Sequence, residues 1–152
     1  MTISFTGHAN ISQKNKVKDA VKEQMCRIIA TSEDVTCYLG GYGDFDEICA
    51  CCCRELKGEY PFINLVYVTP YLDLYTQAKM QEIKKQGLYD ATLYPPIEKA
   101  PIKFAILKRN EWMMTNADIV IAYVKRNSGG AYKSLQFAKR KIRKIINVCD
   151  FL

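Results

Sequence analysis

Two short glycine-bearing turns, Gly40-Gly41-Tyr42-Gly43 and Ser128-Gly129-Gly130, are the residues of this sequence best suited to hold an anion. Each closes an apolar, β-like run (residues 35–39 and 119–124) and precedes an amphipathic helical stretch. Glycine at such a turn lets the backbone take positive φ and lets a ligand reach the main chain without meeting a Cβ. The helix that follows aims its first unbonded N–H groups, and the positive end of its dipole, at the same spot. Two such turns on one parallel sheet would make a two-walled pocket, and phosphate is the ligand feature it would take. Ordinary tight βα turns are the competing reading.

Charge placement points the same way. The formal net charge is +6, and residues 125–144 hold eight basic side chains and no acidic one around the second turn. A basic face of this kind suits a phosphorylated small molecule or a nucleic-acid backbone. Lys139, Arg140, Lys141, Arg143 and Lys144 read as a solvated helix face. Lys133, in the first helical turn after the glycines, is the better ligand candidate. His8 stands just past the first apolar run, where it could contact a phosphate or a base, or serve only as a loop hydrogen-bonding group.

The seven cysteines include the cluster Cys49-Ala50-Cys51-Cys52-Cys53, but their spacing does not suit a metal. On a helix such side chains fan out by about 100° each, so only Cys49, Cys52 and Cys53 share a face. There are no paired CxxC knuckles and His8 is the sole histidine, so no metal and no cofactor is expected. Small apolar thiols packing a helix onto a sheet explain the cluster, and Cys26, Cys37 and Cys149 also read as core.

The elements that must position these residues alternate as strand and helix. Residues 3–6 form a short strand, and Ser12 is placed as the N-cap of a helix striped by Val17, Val21, Met25, Ile28 and Ile29. Residues 35–39 are the second strand and 44–57 the second helix. Residues 62–68 form a continuous apolar strand covered on both faces, ended by Thr69-Pro70. A helix over 72–85 follows, and residues 89–101 are irregular because of Pro95, Pro96 and Pro101. Helix 103–115, strand 118–124, helix 131–141 and strand 144–148 complete the chain.

The expected fold is therefore α/β, a Rossmann-like three-layer sandwich on a parallel sheet of about five strands in the order 3-2-1-4-5, as a single domain over residues 1–152. Ligands of such sheets bind beyond the C-terminal strand ends at the switch in strand order. That rule gathers residues 6–10, 40–46, 69–71 and 125–133 around one crevice, and within them Thr6, Gly7, His8, Gly40, Gly41, Tyr42, Gly43, Asp44, Tyr71, Ser128, Gly129, Gly130 and Lys133 are the ligand candidates. With 49% hydrophobic and 25% charged residues the composition is ordinarily globular. No apolar run is long enough to span a bilayer, and no basic-then-apolar leader opens the chain, so a cytoplasmic protein without membrane partners is expected.

Several of these motifs, taken in order, resemble the YpsA-like branch of the SLOG superfamily. They are Phe5-Thr6-Gly7-His8, residues 38–46, Arg109-Asn110-Glu111-Trp112-Met113, residues 117–123 and Ser128-Gly129-Gly130. The superfamily includes the lonely guy (LOG) phosphoribohydrolases and the nucleotide-binding domain of the DNA-processing protein DprA. The resemblance implies a modified Rossmann fold that binds nucleotides or nucleotide-derived ligands, often as a homodimer. By the LOG pattern Arg109 matches the arginine that engages ribose-phosphate, and Gly129 and Gly130 match the glycine pair. The catalytic glutamate position falls on Gln136, which can be neither a general acid nor a general base. Asp46 or Glu47, at the mouth of the first turn, would have to replace it as the catalytic carboxylate beside Arg109. A favourable charge at a helix N-terminus is the competing account of both acids.

Trp112, Tyr71 and Tyr94 are candidates to stack on a base, and Asn110 and Glu111 to orient a ligand; core packing competes for Trp112. Three functions follow from these residues. The first is a sensor or sequestering module for a nucleotide-derived phosphorylated small molecule. The second is a LOG-like N-glycosidase acting on nucleoside monophosphates, and the third is single-stranded nucleic-acid binding. The missing glutamate favours the first over the second. The lack of an evident aromatic-basic stripe ranks nucleic acid below both.

Overall fold

Apolar runs separated by amphipathic helices fold here into one sheet whose strands all point the same way. The structure, a computed structural model, describes residues 1–141 and 143–152. Six strands, β1 (Thr2–Gly7), β2 (Val35–Leu39), β3 (Ile63–Val68), β4 (Ala91–Leu93), β5 (Ile119–Tyr123) and β6 (Lys144–Asn147), lie in the order β4-β3-β2-β1-β5-β6. Every neighbouring pair is parallel. The expected α/β, Rossmann-like fold is the one observed. It has one strand more than expected: β4 extends the edge beside β3, pairing Val66 with Ala91 and Val68 with Leu93. A three-residue strand shows no period of its own and stops before Pro95 and Pro96. The carboxylate of Asp90, which accepts the Leu65 N–H at 2.8 Å, sets its register.

Helices α1 (Lys14–Ile29) and α2 (Gly43–Glu59) cover one face of the sheet. Their apolar stripes, among them Val17, Val21, Met25, Phe45, Cys49, Cys53 and Leu56, bury against Ile3, Phe5, Cys37 and Leu65. Helices α4 (Ala105–Thr115) and α5 (Gly130–Arg140) cover the other face through Met113, Met114 and Ala138 over Val120 and Val68. β5, central and covered on both sides, has all five residues buried. Between β3 and β4, α3 (Leu74–Lys85) buries only Thr76, and Asp73 caps it by accepting the Thr76 N–H at 2.7 Å.

Ser12 does not cap α1. The helix begins at Lys14 after Gln13, without a side-chain cap bond, because the preceding segment is anchored elsewhere: Ile11 donates its N–H to Asp44 at 2.8 Å. All seven cysteines are free. Burial pushes the Cys49 and Cys53 thiols well up and Cys52 to about 12, so these are packing groups rather than nucleophiles. Among the described residues no three His, Cys, Asp or Glu side chains converge as a metal site, and no helix is long and apolar enough to cross a membrane.

The chain runs from β1 outward through β2, β3 and β4, then crosses back to β5 on the other side of β1. The loops that leave β1 and β5 therefore diverge, and a crevice opens between them at the C-terminal end of the sheet.

Candidate functional site

That crevice is a cavity of about 340 Å³. Its walls are the end of β1 and the loop after it (Phe5 to Ala9), Gly40 after β2, Tyr42 and Asp46 at the start of α2, and Arg109, Asn110 and Met113 on α4. The segment from Arg126 through Ser128 to Ala131 closes the far side. The volume falls within the range of small-ligand sites. Of the residues singled out from the sequence, Thr6, Gly7, His8, Gly40, Tyr42, Asp46, Arg109, Ser128, Gly129 and Gly130 line it. Gly41, Gly43, Asp44 and Glu47 instead line an adjacent hollow with Arg54 and Tyr89. Tyr71, Lys133, Gln136 and Trp112 line neither; Trp112 packs tilted on Tyr38 at 5.2 Å.

The two glycine turns are unequal. At the first, the N-terminal N–H groups of α2 already have protein partners: Asp44 donates to Ala9 O at 2.8 Å and Phe45 to His8 O at 3.4 Å. Asp44 is a brace, accepting from Ile11 and pairing with Lys14 at 3.4 Å. Gly43, at φ +88°, leaves Ala9 Cα only 2.7 Å from where a Cβ would stand. These glycines let the β1 loop sit on α2, which occupies the Asp44 and Phe45 N–H groups that an anion there would use. At the second turn Gly129 has φ +92°, and the first helical bond is Lys133 N–H to Gly129 O at 3.0 Å. The N–H groups of Gly130, Ala131 and Tyr132 have no backbone partner among the described residues, and Gly130 and Ala131 line the cavity.

Arg109 reaches the cavity from α4 and is 2% exposed. Its Nη1 donates to Val68 O at 2.8 Å and Gly40 O at 3.0 Å, and its Nε to Asn110 Oδ1 at 2.8 Å. It thus ties the ends of β2 and β3, while Nη2 has no partner among the described residues. Burial lowers its pKa, opposed by the nearby Asp46 carboxylate. Asp46 accepts the Tyr42 N–H at 2.9 Å. Burial lifts its carboxyl to about 6 against the pull of that bond and of Arg109. It is the one carboxylate lining the cavity among the described residues, and Glu47 is exposed outside it.

His8 is buried, at 7% exposure, and its Nε2 accepts the N–H of Lys125 at 2.9 Å and of Arg126 at 3.4 Å. Arg126 and Ala131 fall in the stretch 125–133 that strand order assigns to the crevice, whereas sequence reasoning passed over Ile106 and Met113 as wall residues, two apolar groups with no signal that separated them from core.

No family model matches the sequence, and no curated protein does. Solved structures do. The fold is similar to that of DNA processing protein A. The X-ray structure of that protein (DprA) from Streptococcus pneumoniae superposes with a TM-score of 0.67 at 14% identity, over 95% of this chain and 48% of the other. DNA processing protein A from Helicobacter pylori, described for its single-stranded DNA binding mode, gives 0.62 at 15% identity over 95% and 63%. This chain therefore spans between about half and five-eighths of these neighbours, and at such identity the likeness is one of fold.

Proposed function

We propose that the cavity binds one nucleotide unit by its phosphate. A single observation carries this reading: Gly130 and Ala131, whose N–H groups at the α5 N-terminus have no backbone partner among the described residues, and Arg109 line the same cleft. A helix N-terminus and an arginine are complementary to phosphate in dipole, charge and hydrogen-bond geometry. The volume suits a nucleotide-sized ligand, and apolar walls from Phe5, Ile106 and Met113 suit a sugar or base. The order of the glycine and arginine motifs supports placing the chain with the YpsA-like branch of the SLOG superfamily, as one domain.

A second reading has its own support. The nucleotide unit belongs to a single strand, and single-stranded DNA is the ligand named for the Helicobacter pylori protein of similar fold. The exposed Lys125, Arg126 and Lys133 beside the cavity supply cations for the neighbouring phosphates. Hydrolysis of an N-glycosidic bond would fall to Asp46, because Gln136 is neither ionisable nor at the cavity.

One set of titrations separates the three. Mononucleotides and a short oligothymidylate are titrated calorimetrically, and the mixtures are assayed for free base. A mononucleotide that binds as tightly as the oligomer supports the metabolite reading, and a far tighter oligomer supports the strand. Released base that disappears in Asp46→Asn supports the hydrolase. Failure of every nucleotide to bind removes all three.

A further inference from the structure

We propose that His8 is a positioning residue that latches the segment bearing Arg126, Ser128, Gly129 and Gly130 over the cavity, and that protonation of its imidazole opens the latch. The proposal concerns regulation of the anion pocket and, for its effect on ligand affinity, rests on that reading.

The geometry is specific. Two consecutive backbone N–H groups, of Lys125 and Arg126, converge on His8 Nε2 at 2.9 and 3.4 Å. An imidazole nitrogen can accept only when it carries no proton, so the ring is neutral with its proton on Nδ1. The residue is fixed at its backbone, where the His8 main-chain N–H donates to Tyr123 O at 3.3 Å and the His8 carbonyl accepts from the Phe45 N–H, and the imidazole meets the Tyr123 ring edge-to-face with centroids 5.8 Å apart. Apart from Lys125 Nζ over the Tyr123 ring at 5.4 Å, the latched segment has little else to hold it. Residues 125–130 are all exposed, and no other N–H of residues 125–129 has a protein partner among the described residues.

Two cations bear on the protonation of the ring, Lys125 and Arg126 of the loop, while Arg109 of α4 lies across the cavity and the phenol ring of Tyr123 on β5 packs against the imidazole. From α2 come Asp44 and Asp46, whose carboxylates are bound to the Ile11 and Tyr42 N–H groups, with the apolar Phe45 between them. Burial first, then Arg126 and Lys125, hold the imidazole below the usual histidine range. Once protonated, Nε2 presents an N–H to two N–H donors. Both bonds are lost and the like-charged Arg126 and Lys125 are repelled, so the segment detaches as acidification protonates the ring, at a pH below the ordinary histidine range.

His8 is the sole histidine, so one set of imidazole signals reports on it without assignment. In ¹⁵N-histidine-labelled protein the expected neutral form is the Nδ1–H tautomer, titrating below the ordinary midpoint. Across that titration, hydrogen exchange of the Lys125 and Arg126 amides should accelerate about tenfold beyond its intrinsic pH dependence, the equivalent of one lost interaction. His8→Gln offers an acceptor oxygen that does not titrate, so its amides should show no such step. His8→Ala should lack the protection at every pH. Sulfate, whose charge is constant over this range, is the ligand probe. Its affinity for the natural protein should fall relative to His8→Gln on acidification. A rise would mean that the imidazolium is itself an anion ligand, and would overturn the latch. An Nε2–H tautomer, or amide protection indifferent to the titration, would overturn it too. A normal amide response in a protein that binds no sulfate at any pH would uphold the latch and remove the anion-pocket reading.

Discussion

Asp46 and Arg109 converge on Gly40 from different helices and stop short of an ion pair. A β-carbon at Gly40 would stand 3.1 Å from Asp46 Oδ2 and 3.2 Å from the Arg109 Cζ. Yet the two form no salt bridge among the described residues. Each is held by its own surroundings instead: Asp46 by the Tyr42 N–H, and Arg109 by the carbonyls of Gly40 and Val68. The absence of a side chain at position 40 brings the two charges to one wall, and the missing bond leaves both open to a ligand.

The stability of the fold should therefore rise when Asp46 becomes Asn. In the folded protein this carboxyl sits at about 6, above its ordinary value of 3.8. A raised acid favours folding below its unfolded pKa and loses that contribution as the pH climbs through the folded one. Above about pH 6 the buried carboxylate is then a net cost of at most about 3 kcal/mol. Asparagine keeps an acceptor for the Tyr42 N–H and removes the charge. Urea melts should show Asp46→Asn more stable at pH 7.5 and nearly equal at pH 4. A variant less stable at pH 7.5 would mean that the charge is satisfied where it stands.

Arg109 should prove structural before it proves functional. Replacing it with Met leaves the Gly40 and Val68 carbonyls buried without their donor, a loss on the order of 3 kcal/mol. Arg109→Lys retains the charge and donors for the carbonyls but loses the Nε–H that Asn110 accepts and the planar guanidinium, so it should fall between. Both variants should bind sulfate more weakly, by calorimetry at a temperature where each is folded. Unchanged affinity in Arg109→Met would exclude the guanidinium from the pocket.

How far this arrangement could be read in the sequence depends on the range of the interaction. The helical stripe Val17-Val21-Met25 and the apolar run at residues 62–68 announce their elements because burial imposes a local period. Ala91–Leu93 is too short to show one, and its partner Leu65 is remote in the chain. At the site, glycines mark both turns, but their roles differ for reasons no local pattern holds. Gly41 and Gly43 make room for Tyr67 and Ala9, whereas nothing stands within 4 Å of a side chain at Gly129 or Gly130. His8 was visible as a polar group at the right strand end. That its Nε2 faces the main chain of Lys125 depends on β1 and β5 being neighbours.

The same contrast between turns can be measured. Gly41 has φ +67°, and a β-carbon there would fall 2.2 Å from Tyr67 Cε2. Gly41→Val should destabilise the fold by at least about 2 kcal/mol through backbone strain and displacement of that ring. Gly130→Val meets open space at a helix start, and should change stability by less than about 1 kcal/mol. It should nevertheless weaken sulfate binding, because its isopropyl group crowds the free N–H groups of the α5 N-terminus. Chemical denaturation paired with calorimetry on both variants checks this. Equal affinity in Gly130→Val would mean that the second turn, like the first, serves only the fold.

The cations beside the cavity should distinguish a free nucleotide from a strand. Arg126 lines the cavity, while Lys133 is exposed on α5 outside it. A mononucleotide seated by its phosphate can reach only the first, whereas a strand leaving the cavity passes both. Arg126→Ala should therefore weaken a mononucleotide and an oligothymidylate alike, and Lys133→Ala only the oligomer. The salt dependence provides an independent count. Each cation removed from a single-strand path lowers the slope of log affinity against log salt by about 0.7. For the oligomer that decrement should appear in both variants, read from titrations at several salt concentrations. If Lys133→Ala leaves the oligomer slope unchanged, the strand does not follow α5, and the cavity is a seat for a free nucleotide.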